Sequence, residues 1–210
     1  MNVEWVTVGP FQENSYLLRG ESGAGVLIDP GDEAPRIIRM VRAAGATIEA
    51  IWLTHAHLDH LGAIADIKRT WDVPVLLHPD DLPLYRRAAQ QAAFYGLEFE
   101  QPPDPDRELV NGEQLTLGSA RFTVRHTPGH SPGHVVFVTD GLMIGGDLLF
   151  AGSIGRTDLP FSNSDAMEAS LATVAAFDPT MAVYPGHGPP TSIGAELATN
   201  PYLTDFHHVR

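Results

Sequence analysis

Three imidazoles and a carboxylate stand within six consecutive residues of this chain, in Thr54-His55-Ala56-His57-Leu58-Asp59-His60-Leu61-Gly62. No other feature limits what the chain can fold into as much. The cluster follows the apolar run Ile51-Trp52-Leu53, which reads as a strand that stops where the polar groups begin. Residues two apart in an extended segment point the same way, so His55 and His57 can reach one point in space. A helical pattern continues from about His60 through Ala63-Ile64-Ala65-Asp66-Ile67. The chain therefore turns at Leu58-Asp59, and Asp59 and His60 are aimed in a second direction. One short segment can thus serve two neighbouring metal positions. Imidazole and carboxylate suit zinc, iron or manganese, and the lack of thiolates argues against a purely structural zinc site. A solvated His-rich loop is the bland alternative, and it predicts no further His or Asp at other strand ends.

Such residues do recur. His130 follows the strand-like residues 120–125, in His126-Thr127-Pro128-Gly129-His130-Ser131-Pro132-Gly133-His134, where Pro and Gly make a tight turn. Asp147 follows Leu142-Met143-Ile144-Gly145-Gly146, and His187 follows Met181-Ala182-Val183-Tyr184-Pro185-Gly186. Groups carried on loops at one edge of a rigid sheet are a common way to build a site. The expected assignment puts His55, His57 and His130 on one metal and Asp59, His60 and His187 on the other, with Asp147 between them. Each metal then keeps an open position, which separates a catalytic site from a closed structural one. Asp59 and Asp147 are the candidate catalytic carboxylates. His78, His126 and His134 are expected to be structural, with His134 or His126 able to orient a ligand through a ring N–H. His207 and His208 are expected at the surface. Ser131 and Ser153 lack a Gly-x-Ser-x-Gly elbow, so no serine nucleophile is expected.

Along the chain, residues 3–8, 16–19 and 25–29 read as strands, and 34–44 as an amphipathic helix closed by Gly45. Residues 48–53 form the strand before the cluster, and a helix runs from the cluster to about Trp71. A strand at 73–77 precedes a helix over 80–95 that ends at Gly96. The proline-rich acidic stretch 101–113 reads as a long surface loop. Strands follow at 114–117, 120–125, 134–139 and 142–145. A helix over 164–177, N-capped at Ser164, leads to a last strand at 181–184 and one short helix after Thr191. This order does not alternate throughout, as a doubly wound sheet would. It predicts an α/β (α+β) chain of two sheets packed face to face with helices outside, and all 210 residues in one domain.

The formal charge of -13 repels phosphate backbones, which argues against nucleic acid as a partner. No apolar run is long enough to span a bilayer, so no membrane partner is expected. The start Met1-Asn2-Val3-Glu4-Trp5 has neither a basic stretch nor an apolar signal core. There is no cysteine, hence no Cys ligand or nucleophile. A cytoplasmic location is the resulting expectation. No oligomeric state follows from the sequence.

With these residues assembled, the chain resembles the metallo-β-lactamase superfamily. Residues 54–62 match its T-H-x-H-x-D-H-x-G signature, and His130, Asp147 and His187 fall in the family's order. The run Asp147-Leu148-Leu149-Phe150-Ala151-Gly152-Ser153-Ile154-Gly155-Arg156-Thr157-Asp158-Leu159-Pro160 and the late Thr199-Asn200-Pro201-Tyr202-Leu203 look like the short glyoxalase II-like hydrolases. The resemblance implies a four-layer αββα sandwich and two divalent metals, zinc first, with iron or manganese as alternatives. It further implies hydrolysis of a small-molecule thioester such as S-hydroxyacylglutathione, by a hydroxide bridging the metals.

Arg156 occupies the place of a basic residue that binds the glutathione part in those enzymes, and Asp158 stands where they usually carry an aromatic residue. The stretch after His187 is too short for their C-terminal helical domain, so glutathione recognition does not carry over with the metal motif. An ion pair between Arg156 and Asp158 is the competing reading of Arg156. Persulfide dioxygenases of the same superfamily share a Gly-Arg-Thr-Asp run like 155–158 and would use one iron on His55, His130 and Asp147. A lactonase, a β-lactamase and a non-catalytic metal-binding module rank below.

Overall fold

The computed structural model describes residues 1–203; His207 and His208 lie outside the described residues. Strands β1 (Asn2–Val8), β2 (Glu13–Arg19) and β3 (Ala24–Ile28) precede helix α1 (Ala34–Ala44) and strand β4 (Thr47–Trp52). Helix α2 (Ile64–Thr70), strand β5 (Val75–Leu77), helices α3 (Leu82–Tyr85) and α4 (Ala88–Phe94) and strand β6 (Arg107–Glu108) follow. Next come β7 (Gln114–Leu117), β8 (Ala120–His126), β9 (Val135–Thr139), β10 (Leu142–Gly146) and the small hairpin β11 (Leu149–Phe150) and β12 (Ser153–Ile154). Helix α5 (Ser164–Ala175), strands β13 (Ala182–Pro185) and β14 (Thr191–Ser192) and helix α6 (Ile193–Thr199) complete it.

The strands form two six-stranded mixed sheets, in the orders β1-β2-β3-β4-β5-β6 and β14-β13-β10-β9-β8-β7. Side chains alternate between the two faces of each sheet, and the central strands are buried almost continuously, β2 from Glu13 to Leu18 among them, because each sheet is covered on both faces. In β2, Tyr16 and Leu18 face the other sheet, where they meet Phe122, Val124 and Phe137. Leu17 points the other way and packs with Ile37 and Val41 of α1 and with Ile64 and Ile67 of α2. On the second sheet, Val136, Met143 and Val183 pack outward against Met167, Leu171 and Val174 of α5. The result is the expected αββα arrangement, with one core between the sheets and one under each helical layer.

Several elements differ from the sequence expectation. The helix after the cluster is delayed: Leu58–His60 is a single 3₁₀ turn, and α2 starts only at Ile64. The stretch 80–95 is broken between α3 and α4. Gln101 causes the break: its side-chain amide donates to Tyr85 O at 2.9 Å and accepts from Ala89 N at 3.2 Å. Those two backbone groups would bond each other in a continuous helix, so the inserted side chain takes over one rung of the ladder. Finally, α5 is capped by Asn163, whose Oδ1 accepts from Ala166 N at 2.9 Å, one residue before the expected Ser164. The loop 101–113 also holds β6, a two-residue edge that pairs parallel with β5.

Candidate metal centre

β4 delivers the chain to the site, and the loop after β3 shapes it. Gly31 lies against the turn at Asp59 so closely that a Cβ there would collide with Asp59 O. That contact accompanies the tight turn at Leu58–His60, which brings the His60 ring to 4.1 Å from the His55 ring and sets Asp59 beside His187. The second sheet supplies the rest from three strand ends: His130 after β8, Asp147 after β10 and His187 after β13. A Cβ at Gly186 would collide with Asp147 Oδ1, so glycine is required where β13 meets the centre.

The hydrogen bonds fix which ring nitrogens face inward. Thr54 Oγ1 donates to Asp29 Oδ2 at 2.5 Å and therefore accepts from His55 Nδ1 at 3.0 Å. His60 Nδ1 donates to the same Asp29 Oδ2 at 3.0 Å. Both rings thus turn Nε2 lone pairs inward, and neither Nε2 has a partner although both are buried. His130 Nδ1 donates to Arg156 O at 2.9 Å, which frees its Nε2 as well. That Nε2 lies 2.8 Å from His57 Nδ1 and 3.3 Å from Asp147 Oδ2. His187 Nε2 is 3.4 Å from both Asp59 Oδ2 and Asp147 Oδ2, and His60 Nε2 is 3.5 Å from Asp147 Oδ1. Ligand atoms therefore converge in one group from His55, His57 and His130 and in another from Asp59, His60 and His187. Asp147 touches both groups, and its buried Oδ1 has no hydrogen-bond partner.

Buried lone pairs aimed at one another without donors are costly unless a cation lies between them. The donor set is imidazole and carboxylate with no sulfur, which fits zinc, iron or manganese. The titration behaviour of His55 and His57 agrees, whereas His60 and His187 are raised by their carboxylate neighbours. Burial, reinforced by the neighbouring imidazoles, holds His55 well below its usual range, and burial with His130 brings His57 to about 3, so both stay neutral and able to ligate. Burial alone would raise the carboxyls of Asp59 and Asp147, but His60 and His187 outweigh it and keep both ionised. Burial would likewise lower His187, but hydrogen bonds and charge from Asp147 and Asp59 carry it to about 11.

Every candidate ligand thus lies in one cluster, and Arg156 lines the cleft above it. Its guanidinium is clamped by Asp158 through Nε–Oδ1 at 2.7 Å and Nη2–Oδ2 at 2.9 Å. His134 is buried but oriented differently from the expectation. Its Nε2 accepts from Asp147 N at 3.0 Å and its Nδ1 donates to Thr127 Oγ1 at 2.9 Å. It positions the Asp147 backbone rather than a ligand ring. His126 stacks on His78 with ring centroids 4.1 Å apart, and its Nε2 donates to Pro132 O at 2.8 Å.

Sequence reasoning passed over two organising carboxylates. Asp29 closes the 25–29 strand and so carries the same strand-end signal that marks Asp147. Asp81 is buried and accepts from Ala56 N at 2.9 Å, Ser131 Oγ at 2.7 Å and Gly133 N at 2.5 Å. It ties the 54–60 loop to the 126–134 loop, and nothing in the local pattern of residues 78–85 signals that role.

The metallo-beta-lactamase superfamily pattern matches residues 8–187, spanning both sheets and every candidate ligand. This chain belongs to the metallo-β-lactamase superfamily. Among relatives of this superfamily member, the hydroxyacylglutathione hydrolase GloC of Haemophilus influenzae is 35% identical over 97% of this chain and 98% of its own. The crystal structure of TTHA1623 in a di-iron-bound form is 48% identical, with a TM-score of 0.89 over 95% of this chain and 100% of that one. The B3 metallo-β-lactamase BLEG-1 is 36% identical, with a TM-score of 0.91 over 97% of this chain and 100% of that one. The superfamily assignment makes the protein a metallo-hydrolase-type enzyme with His/Asp metal-binding clusters.

Proposed function

We propose that this protein hydrolyses thioesters of the S-hydroxyacylglutathione kind, using two divalent metals held by His55, His57 and His130, by Asp59, His60 and His187, and by Asp147 between them. The observation that carries the reading is the shared position of Asp147. One carboxylate reaches both groups of ligands, at 3.3 Å from His130 Nε2 and 3.5 Å from His60 Nε2. Full-length similarity to a hydroxyacylglutathione hydrolase supports the substrate class, and the di-iron-bound relative supports two metals. Zinc is the first expectation, with iron and manganese as alternatives. Bound there, the ions would supply Lewis acidity and a water that loses a proton near neutral pH.

The chain's own residues do the remaining work. His55 and His60 are sealed beneath the cluster, while His57, Asp59 and His187 form its open edge at the floor of the cleft. Asp59 Oδ2, ionised and 3.4 Å from His187 Nε2 on that open edge, can accept a proton beside the reacting atoms. No acyl-enzyme is needed. There is no cysteine, and the Ser131 hydroxyl is buried and committed to Asp81.

Elemental analysis of protein purified without added metal, followed by a substrate panel, tests the proposal. The expected result is two metals per chain and turnover of S-lactoylglutathione. His55→Ala and Asp147→Ala should each lose metal and at least a hundredfold in kcat/KM together. One iron per chain with oxygen uptake on glutathione persulfide would replace the hydrolase by a dioxygenase. The similarity to BLEG-1 favours a β-lactam as the second substrate class, and turnover of β-lactams without thioester cleavage would overturn the proposal in its favour.

A further inference from the structure

The cleft above the cluster encloses about 730 Å³, and its walls are aromatic and aliphatic. One wall carries Phe94 and Tyr95 at the end of α4, with Phe11 edge-on to Tyr95 at 5.7 Å. Phe150, Ile154 and Phe161 also line the cleft. Several of these rings face water: Phe94 is 85% exposed, Phe161 54% and Tyr95 52%. A concentration of exposed aromatic surface around a concave site marks ligand recognition more often than chance exposure.

The cations that line the cleft are Arg87 and Arg156. Arg156 is neutralised by Asp158, and Arg87 lies over the Phe161 ring with Cζ 5.9 Å from its centroid. Arg156 is thus occupied by a carboxylate, while Arg87 keeps its charge beside the Phe161 ring.

Phe161 supplies a second, independent observation. Leu159-Pro160-Phe161-Ser162 forms a tight turn closed by Ser162 N donating to Leu159 O at 3.1 Å. Phe161 takes φ 71° in that turn, a left-handed conformation that glycine adopts freely and a bulky side chain resists. The fold accepts that strain and gains no buried core from it, because the ring projects into the mouth of the cleft. Strained residues of this kind concentrate at ligand clamps.

We propose that the cleft selects substrates by burial of a bulky, uncharged hydrocarbon acyl group, a medium-length alkyl chain or an aromatic ring. Phe161, Phe94 and Tyr95 determine that specificity. The chemistry at the floor rests on the thioester reading above; the preference of the walls does not. Straight-chain carboxylates, the products such a substrate would release, probe the walls without turnover.

Calorimetric titration of the metal-loaded protein with the series from butanoate to decanoate should show affinity rising about threefold to fourfold per methylene, the burial gain for one CH2 group. Phe161→Gly should lower decanoate affinity at least fivefold while its Tm stays level or rises, because the turn is relieved. Loss of a merely structural residue would lower Tm instead. Phe94→Ser, at an exposed position, should flatten the series. Affinity that does not change with chain length, or a chain-length dependence kept intact in the Phe94→Ser/Phe161→Gly double variant, would overturn the proposal. So would a change of mass by light scattering, from dimer to monomer, that leaves the series untouched, since the rings would then serve a second copy of the chain. Assay of the matching acyl thioesters separates the two claims: a rising carboxylate series with no thioester turnover sinks the thioester reading and leaves the selectivity of the cleft standing.

Discussion

Asp81 shows how one side chain sets the centre without touching it. Its carboxylate is fully buried and uses both oxygens on three donors from two loops. In Asp81→Asn, the amide nitrogen would face either Gly133 N–H or the Ala56 N–H and Ser131 hydroxyl pair. One donor set is left opposite another donor, a loss of about 2–3 kcal/mol. At roughly 2–4 °C per kcal/mol for a chain of this size, Tm should fall by about 5–10 °C, readable by calorimetry, and the metal content should drop with it. An unchanged Tm would mean that the loops are held otherwise. The seven candidate ligands could be found in the sequence because each ends an apolar strand or sits in a dense His motif. Asp81 could not, because its donors come from residues 25 and about 50 positions away and only the closed fold brings them together.

The elements follow the same division between local and distant causes. α1 runs over the expected residues because its determinants are local: an apolar stripe of Ile37 and Val41 and a Gly45 cap in the left-handed conformation. The helix over 80–95 fails as a single element because the side chain that breaks it, Gln101, arrives from outside the segment. At α5 the cap is Asn163, whose backbone is extended, and not the expected Ser164, which is already helical. Ser164 instead donates its hydroxyl to Thr157 Oγ1 at 3.0 Å. Asn163 also donates its backbone N–H to Gly129 O at 2.7 Å, which fastens α5 to the loop carrying His130. Asn163→Ala removes the side-chain cap and keeps that backbone bond. The expected outcome is a loss of about 1 kcal/mol, a fall of about 2–4 °C in Tm, with metal content unchanged. Ser164→Ala should shift Tm by less than half as much, which distinguishes the two capping assignments in one thermal series.

At the scale of the molecule, the centre joins two halves that also share a core, backbone bonds such as Val135 N to Thr54 O at 2.8 Å and Asn14 N to Gly186 O at 2.8 Å, and side-chain bonds from Asp81, Asn14 and Tyr16. Metal binding to the folded state alone should therefore stabilise the whole chain. The size of that effect depends on pH through His187. Without metal, His187 is held at about 11 against an ordinary value of 6.5. The folded metal-free chain then keeps a proton between pH 7 and 9 that the unfolded chain has lost. Its stability falls as pH rises, by up to about 1.4 kcal/mol per pH unit. Glu13, raised chiefly by burial and then by Asp29, works in the same direction. Metal requires His187 as the neutral imidazole, so ion and proton compete, and apparent metal affinity rises with pH over the same window. The Tm difference between metal-loaded and chelator-stripped protein should thus widen from pH 7 to pH 9. Metal uptake at pH 7 should release at least one proton per chain, measured by calorimetry in buffers of different ionisation enthalpy. A Tm difference that narrows with pH, or uptake without proton release, would show that His187 gives up no proton to a metal and that Asp59 and His60 hold their ion without it.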